Sequence, residues 1–457
     1  MAVDTPETDN ERRPLLDSAQ RIQDNEDRPL PIVQVTLLCA ARAVEGIVFF
    51  TIFPFINEMI ATVGGVPEAE VGFWSGLIES TFSIVGMVVM LFWGRTSDRF
   101  GRKPVLTTCL SGMAISCMLF GFAQNVWQMI ALRALAGAFG GTIVTVRTML
   151  SENSTPKTQA RAFSFFSFAG NLGVFTGPLI GGLLSKPATQ FPRLFGSFQL
   201  FISYPYLLPC LVSGITALLI VFISVFLLKE TLPAEPLNAP KTSPPSIKSV
   251  FLSHGVRSVL VIYLFSNLLA FLFSALIMVF YFTPVDLGGW GLTPAQISGF
   301  LTLAGASQMV WMLLVFPPFQ KRFGTGNVLR SCAFVYPLGF TAIPILNLVQ
   351  RYGQEKVFWT TAPPLMALLA LNDISPSPRA FGTLNGLALS LNSGVRSFSP
   401  ALITSLFAYG VAHQILWGYL AWIVMIVLAL GFGVAVMWLP RKSEGQLARS
   451  VDSETTA

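Results

Sequence analysis

Trp93-Gly94-Arg95-Thr96-Ser97-Asp98-Arg99-Phe100-Gly101-Arg102-Lys103-Pro104-Val105 sets four bases and one acid between two apolar runs, Val71 to Phe92 and Val105 to Ala123, whose only charge is Glu79. Each run has about the 20 residues that a helix needs to cross a hydrocarbon core. The polar knot between them therefore reads as a tight loop at a membrane surface. Its glycines permit a sharp turn, Asp98 is placed to accept hydrogen bonds at a neighbouring helix end, and the bases keep to the cytosolic face.

Outward from the knot the same composition continues. Of the 457 residues 53% are hydrophobic and 11% charged, against about 25% charged in a soluble domain, so the chain is an all-α polytopic membrane protein. The net charge of +6 does not point to nucleic acid, because the bases sit in short clusters between apolar runs, as topology determinants do. Cys39, Cys109, Cys117, Cys210 and Cys332 lie in or at the ends of those runs, with neither metal spacing nor a disulfide framework. His254 and His413 are the only histidines, so no metal and no other cofactor is expected. Without a nucleotide-binding motif or a nucleophile constellation, neither ATP-driven pumping nor a membrane enzyme is expected.

Residues 1–30 carry eight acids and four arginines and read as a disordered cytosolic tail. Within it Glu11-Arg12-Arg13-Pro14-Leu15-Leu16 resembles the acidic dileucine signal that sorts proteins to vacuoles or lysosomes, with the plasma membrane as the alternative destination. Twelve spans follow, at 32–56, 71–93, 104–123, 127–149, 162–184, 204–228, 258–282, 296–318, 328–350, 356–373, 381–409 and 414–439. The tenth has an apolar core of Val357 to Leu371 interrupted by Pro363-Pro364, so a short or broken helix is expected there. A proline-rich cytosolic linker, 229–257, separates an amino-terminal six-span unit, 31–228, from a carboxy-terminal one, 258–440, and 441–457 is a second tail. With both chain ends inside, 21 of the 29 Lys and Arg fall on the cytosolic side.

The two units repeat. Trp93-to-Leu106 aligns on Phe316-to-Leu329, keeping Arg-Phe-Gly and Val-Leu, although Lys321 stands where Asp98 does. Arg161-Ala162-Phe163 answers Arg379-Ala380-Phe381 at a similar offset, 218 residues against 223. Such duplication implies two bundles facing each other across a central cavity.

Ionisable groups in hydrocarbon cost about 2.5 to 3.5 kcal/mol each on insertion scales, which makes them functional candidates. Arg42 and Glu45, three residues apart, share one helix face. Glu79 and Arg133 fall roughly 9 to 12 Å from the non-cytosolic surface, and Glu45 and Arg396 roughly 16 to 20 Å from it, depths that allow one shared polar zone. Arg147 is the remaining arginine inside a span, with Arg330 counted at the cytosolic end of the ninth. Burial favours the neutral carboxyl and a nearby guanidinium the ionised one, so altered pairing can load and release a proton; a static pair joining helices is the alternative. Phe49, Phe50 and Phe53 in the first span and Phe271, Phe273, Phe280 and Phe282 in the seventh either line a cavity for amphipathic solutes or face lipid and neighbouring helices.

G-x-x-x-D-R-x-G-R-K, filled by Gly94, Asp98, Arg99, Gly101, Arg102 and Lys103, resembles the loop between the second and third helices of the major facilitator superfamily. Arg133-x-x-x-Gly137 resembles the fourth-span motif of its proton antiporters, and Gly173-x-x-x-Gly177-Pro178-x-x-Gly181-Gly182 their fifth-span packing motif. The Arg42/Glu45 pair, Ile78-Glu79-Ser80, Arg147-Thr148-Met149 and Gly382-Thr383-Leu384-Asn385-Gly386 resemble a eukaryotic branch akin to the zinc-induced facilitator-like transporters.

The resemblance implies twelve transmembrane helices in two pseudo-symmetric six-helix bundles, the major facilitator fold. It implies a secondary active transporter in which the knot is a cytosolic gating loop and a small organic solute is exchanged for protons by alternating access. Glu45 and Glu79 are then the candidate proton carriers, with Arg42, Arg133 and Arg396 as tuning or substrate-anion contacts. The expected partners are the solute, protons and the lipid bilayer, with no nucleic acid and a monomeric state. A uniporter or symporter on the same fold, or a non-transporting scaffold or sensor, are the alternatives.

Overall fold

The computed structural model describes residues 29–155, 158–232, 254–323, 325–371 and 382–437. The dileucine stretch, most of the linker and the carboxy-terminal tail lie outside the described residues. Hydrocarbon offers no partner to a backbone N–H or C=O, so each apolar run closes its own hydrogen bonds as a helix.

In the amino-terminal half these are α1 (Ile32–Phe50), α2 (Ile56–Thr62), α3 (Val71–Phe100), α4 (Arg102–Phe120), α5 (Val126–Ala138), α6 (Thr142–Glu152), α7 (Gln159–Leu184) and α8 (Leu207–Leu227). In the carboxy-terminal half they are α9 (His254–Phe282), α10 (Pro294–Val310), α11 (Phe316–Phe323), α12 (Thr325–Arg351), α13 (Glu355–Leu371), α14 (Gly382–Ala412) and α15 (Leu420–Met437). Some spans are made of two pieces. The first breaks before α2 next to Pro54, the fourth breaks between α5 and α6 at Phe139, Gly140 and Gly141, and a π-helical turn, Trp311–Val315, joins α10 to α11. Among the described residues nine spans are long and apolar enough to cross a membrane. The other three expected spans are α10, α13 and α14, of which the first two have 17 residues each.

Two expectations change in detail. The knot is not a loop of a dozen residues: α3 continues through Gly94, Asp98 and Arg99 to Phe100, and α4 begins at Arg102. Gly101 alone makes the reversal, at φ +108°, a conformation that side-chain-bearing residues avoid. The tenth span is short but unbroken, since α13 runs through both Pro363 and Pro364.

Each half has its own hydrophobic core. One is built from residues between Val35 and Leu228 and the other from residues between Ile262 and Val436, while Met278, Phe282 and Leu301 pack against both. The halves meet where α3 lies against α14 and α7 against α10. Their contacts gather toward the end opposite Gly101, here called the far end. Built at Gly72, a Cβ would sit 3.1 Å from the Thr404 carbonyl oxygen; at Gly182 it would sit 2.0 Å from Ser298 Cβ. Ser298 donates to the Pro178 carbonyl at 2.6 Å, and Asn57 to that of Met278 at 2.8 Å. Toward the Gly101 end, a Cβ at Gly94 or Gly394 would meet nothing within 4 Å.

Candidate functional site

The buried charges are brought together by close helix approaches that glycine makes possible. On α1, a Cβ at Gly46 would lie 3.0 Å from Gly173 Cα of α7, so the two backbones touch. Arg42, one turn earlier, then runs beside Gly170 with its Cζ 5.5 Å from the Phe166 ring. It donates to Glu45 Oε2 at 3.0 Å, within the same helix, and Glu45 is only 7% exposed. Arg147, from α6, reaches the same Phe166 ring at 5.4 Å.

A second approach places the other pair. Asn125 caps α5 by accepting from the Gln128 N–H at 2.9 Å. Further along α5, a Cβ at Gly137 would lie 2.5 Å from the Phe82 carbonyl oxygen of α3. One turn back on each helix, Arg133 and Glu79 come within electrostatic reach of each other. The Arg133 guanidinium lies against both Phe82 and Phe49, 4.7 and 5.2 Å from their centroids, and the two rings are 5.0 Å from each other. Arg396, from α14 in the other half, lies 4.8 Å from the same Phe49 ring and faces both Glu79 and Glu45. Glu79 itself has no hydrogen bond or ion pair within 4 Å among the described residues. Arg42, Glu45, Glu79, Arg133 and Arg396 thus form one connected layer across the interface, with Arg147 and the rings of Phe49 and Phe166 as members. Ser80 sits beside this layer and accepts from the Ala401 N–H at 3.0 Å, next to Pro400, the proline that interrupts the hydrogen-bond ladder of α14.

The fifth-span motif serves two neighbours. Gly173, Gly177 and Gly181 admit α1 and the residues after it, whereas Pro178 and Gly182 meet α10 of the other half.

The residues expected to form a gating loop lie apart from this layer, in a network confined to the amino-terminal half among the described residues. Arg102 donates to Asp98, to Ser97 and to Glu152 at the end of α6. The start of α4 is capped from a distance: Glu230, just beyond α8, accepts from the Arg102 N–H at 2.8 Å and the Lys103 N–H at 3.1 Å. Asp98 was the expected acceptor at this helix end, but its carboxylate is taken by the Arg102 side chain. Arg99 rests 5.5 Å from the ring of its neighbour Phe100.

Partial burial pushes the Glu230 carboxyl up, but the N–H groups of Leu232, Arg102, Lys103 and Thr231 outweigh that and hold it below its ordinary value. Its contribution is therefore fully present above the usual carboxylate range and is lost as pH falls through the lowered value. Glu230→Ala is expected to lower stability near neutral pH by about 1 kcal/mol, the loss typical of a helix cap, with exposure limiting it. The difference in melting temperature from the unmodified protein closes in acid.

Two membrane-spanning six-helix bundles with ionisable groups buried at their interface define a secondary transporter and not an enzyme. The chain matches the family model of the Major Facilitator Superfamily over residues 38–375 and belongs to that family. It is 41% identical over 467 residues to the protein named Efflux pump azaK of Aspergillus niger, covering 97% of this chain and 98% of the relative. Protein ZINC INDUCED FACILITATOR-LIKE 1 of Arabidopsis thaliana is 24% identical over 410 residues, 84% of each chain, in keeping with the branch that the motifs resemble. Among solved structures, the POT family transporter PepTSo superposes with a TM-score of 0.63 at 15% identity, over 93% of this chain and 99% of that one, a likeness of fold.

Proposed function

We propose that the protein exchanges a small organic solute for protons by alternating access, as a monomer in a vacuolar-type or plasma membrane. The position of Glu79 carries this reading. It stands on α3 without a bonded partner among the described residues, facing Arg133 of its own bundle and Arg396 of the other. When the bundles rock, Arg133 travels with Glu79 while Arg396 moves relative to it. An approaching guanidinium favours the ionised carboxyl and a withdrawing one the protonated form, so each cycle loads and releases a proton. Glu45 repeats the arrangement, bonded to Arg42 within α1 and facing Arg396 across the interface. The gathering of cross-bundle contacts at the far end supports a rocking cycle, and the relative named as an efflux pump supports an organic solute.

Flux in proteoliposomes under an imposed pH gradient tests the assignment with a panel of labelled aromatic solutes of either charge. Solute is expected to move against its own gradient only while the proton gradient lasts, and Glu79→Gln to reduce gradient-driven movement to background. Movement indifferent to the gradient, with Glu79→Gln intact, overturns antiport and leaves a uniporter on the same scaffold.

A further inference from the structure

Arg133 is 5% exposed, and among the described residues its Nε and Nη2 both lack a hydrogen-bond partner. Those two atoms form the side-on edge of the guanidinium, whose parallel N–H bonds match the two oxygens of a single carboxylate. The Phe82 and Phe49 rings lie against the guanidinium, 4.7 and 5.2 Å away, and touch each other at 5.0 Å. An arginine packed against two rings with its fork bare is arranged for an acceptor that arrives at the edge, because buried donors left unmade are costly.

Among the described residues no carboxylate fills that fork. Glu45 is bonded to Arg42, and Glu79 lies beyond ion-pair distance. The layer at the bundle interface holds four arginines, Arg42, Arg133, Arg147 and Arg396, against two acids, Glu45 and Glu79, an excess of two positive charges. Arg42 and Arg147, which share the Phe166 ring, each leave Nε without a partner as well. Buried charge of one sign calls for a counter-charge. Arg133 also lines a small cavity of about 10 Å³ whose other walls include Val48, Phe49, Phe82, Cys117 and Leu132, so the surroundings of the fork are apolar.

Resting on the carrier reading above, we infer that the solute is an apolar, aromatic organic carboxylate. Its carboxylate takes the Nε/Nη2 fork of Arg133 and its ring packs beside Phe49 and Phe82, which lie 5.0 Å apart and must part to admit it. A neutral solute leaves the fork unmade, and a cationic one adds like charge to a layer already in excess.

Three probes with one ring system and different charge test this: 2-naphthoate, 2-naphthalenemethanol and 2-naphthylmethylammonium. Each is added to the purified full-length protein, and the melting temperature is followed as a function of concentration. Naphthoate is expected to protect and the other two not. Arg133→Gln should weaken the apparent naphthoate affinity by about tenfold to a hundredfold, the range for a hydrogen bond to a charged group. Arg133→Lys, which keeps the charge but not the fork, should fall between. Absence of protection by naphthoate, equal protection by the alcohol or the ammonium, or undiminished naphthoate affinity in Arg133→Gln overturns the inference. The probe series on the unmodified protein decides charge preference even where Arg133→Gln does not fold. Counterflow of labelled probes reads the carrier assignment separately. Naphthoate protection without naphthoate counterflow keeps the carboxylate site and rejects its transport, whereas counterflow of the alcohol or ammonium without naphthoate protection rejects the site and keeps the carrier.

Discussion

Gly76→Leu is expected to abolish solute exchange while leaving each bundle folded. Gly76 lies on α3 where it meets α14, and a Cβ there would fall 1.8 Å from Thr404 Oγ1, 2.9 Å from the Pro400 carbonyl oxygen and 3.0 Å from Ala401 Cα. The threonine hydroxyl can rotate away, but the other two atoms are backbone and cannot. The overpacking typical of such insertions, about 1 to 3 kcal/mol, therefore falls on the closed far-end seam. It leaves untouched any arrangement in which α3 and α14 part there. Two conformations separated by a few kcal/mol are inverted by a penalty of that size, so the variant rests with the far end open and does not cycle. Amide hydrogen exchange should rise in α3 around Gly76 and in α14 around Thr404, with counterflow at background. Gly299→Leu is the control: it is one residue from Ser298 on α10, yet a Cβ there meets nothing within 4 Å, and exchange should stay near that of the unmodified protein. Normal counterflow in Gly76→Leu would mean that the far-end seam need not re-form during transport.

Much of this architecture is legible in the sequence because lipid simplifies the problem. Backbone groups without water must bond within their own helix, so an apolar run of sufficient length gives both an element and its path. The polar knot was harder to delimit. Its charge pattern marks a membrane surface, but whether Arg95 to Phe100 are loop or helix depends on where the chain can reverse. Here Gly101 does that in one residue. The depth of Glu45, Glu79, Arg133 and Arg396 follows from counting residues, whereas helix rotation does not. Hence the sharing of Phe49 by Arg133 and Arg396, and of Phe166 by Arg42 and Arg147, emerges only once α1, α5, α6, α7 and α14 are packed. Glu230 shows the other kind of gap. Nothing local marks it as a cap for α4, since the helix start it serves lies far away in the chain. The one available signal is a carboxylate placed within three residues of the end of an apolar run, on the same face as a helix start that has no acid of its own.

Arg396→Gln is expected to uncouple transport from the proton gradient without stopping it. Of the four arginines in the buried layer, Arg396 alone belongs to the carboxy-terminal bundle, and it faces both carboxylates of the amino-terminal one. Arg42, Arg133 and Arg147 move as a body with Glu45 and Glu79, so their distances to those acids change little when one bundle rocks against the other. Only the Arg396 contacts are rewritten in each half-cycle, and only they can make proton affinity depend on which side is open. Neutralising Arg396 removes that dependence while leaving the fork of Arg133, the pocket and the far-end seam in place. In proteoliposomes the variant should retain counterflow of labelled solute to within a few-fold and lose accumulation driven by a pH gradient. Arg133→Gln should do the reverse at low solute concentration, weakening exchange itself through lost affinity. If Arg396→Gln still accumulates solute against its gradient, the proton is carried elsewhere, and the interfacial charge layer serves solute recognition alone.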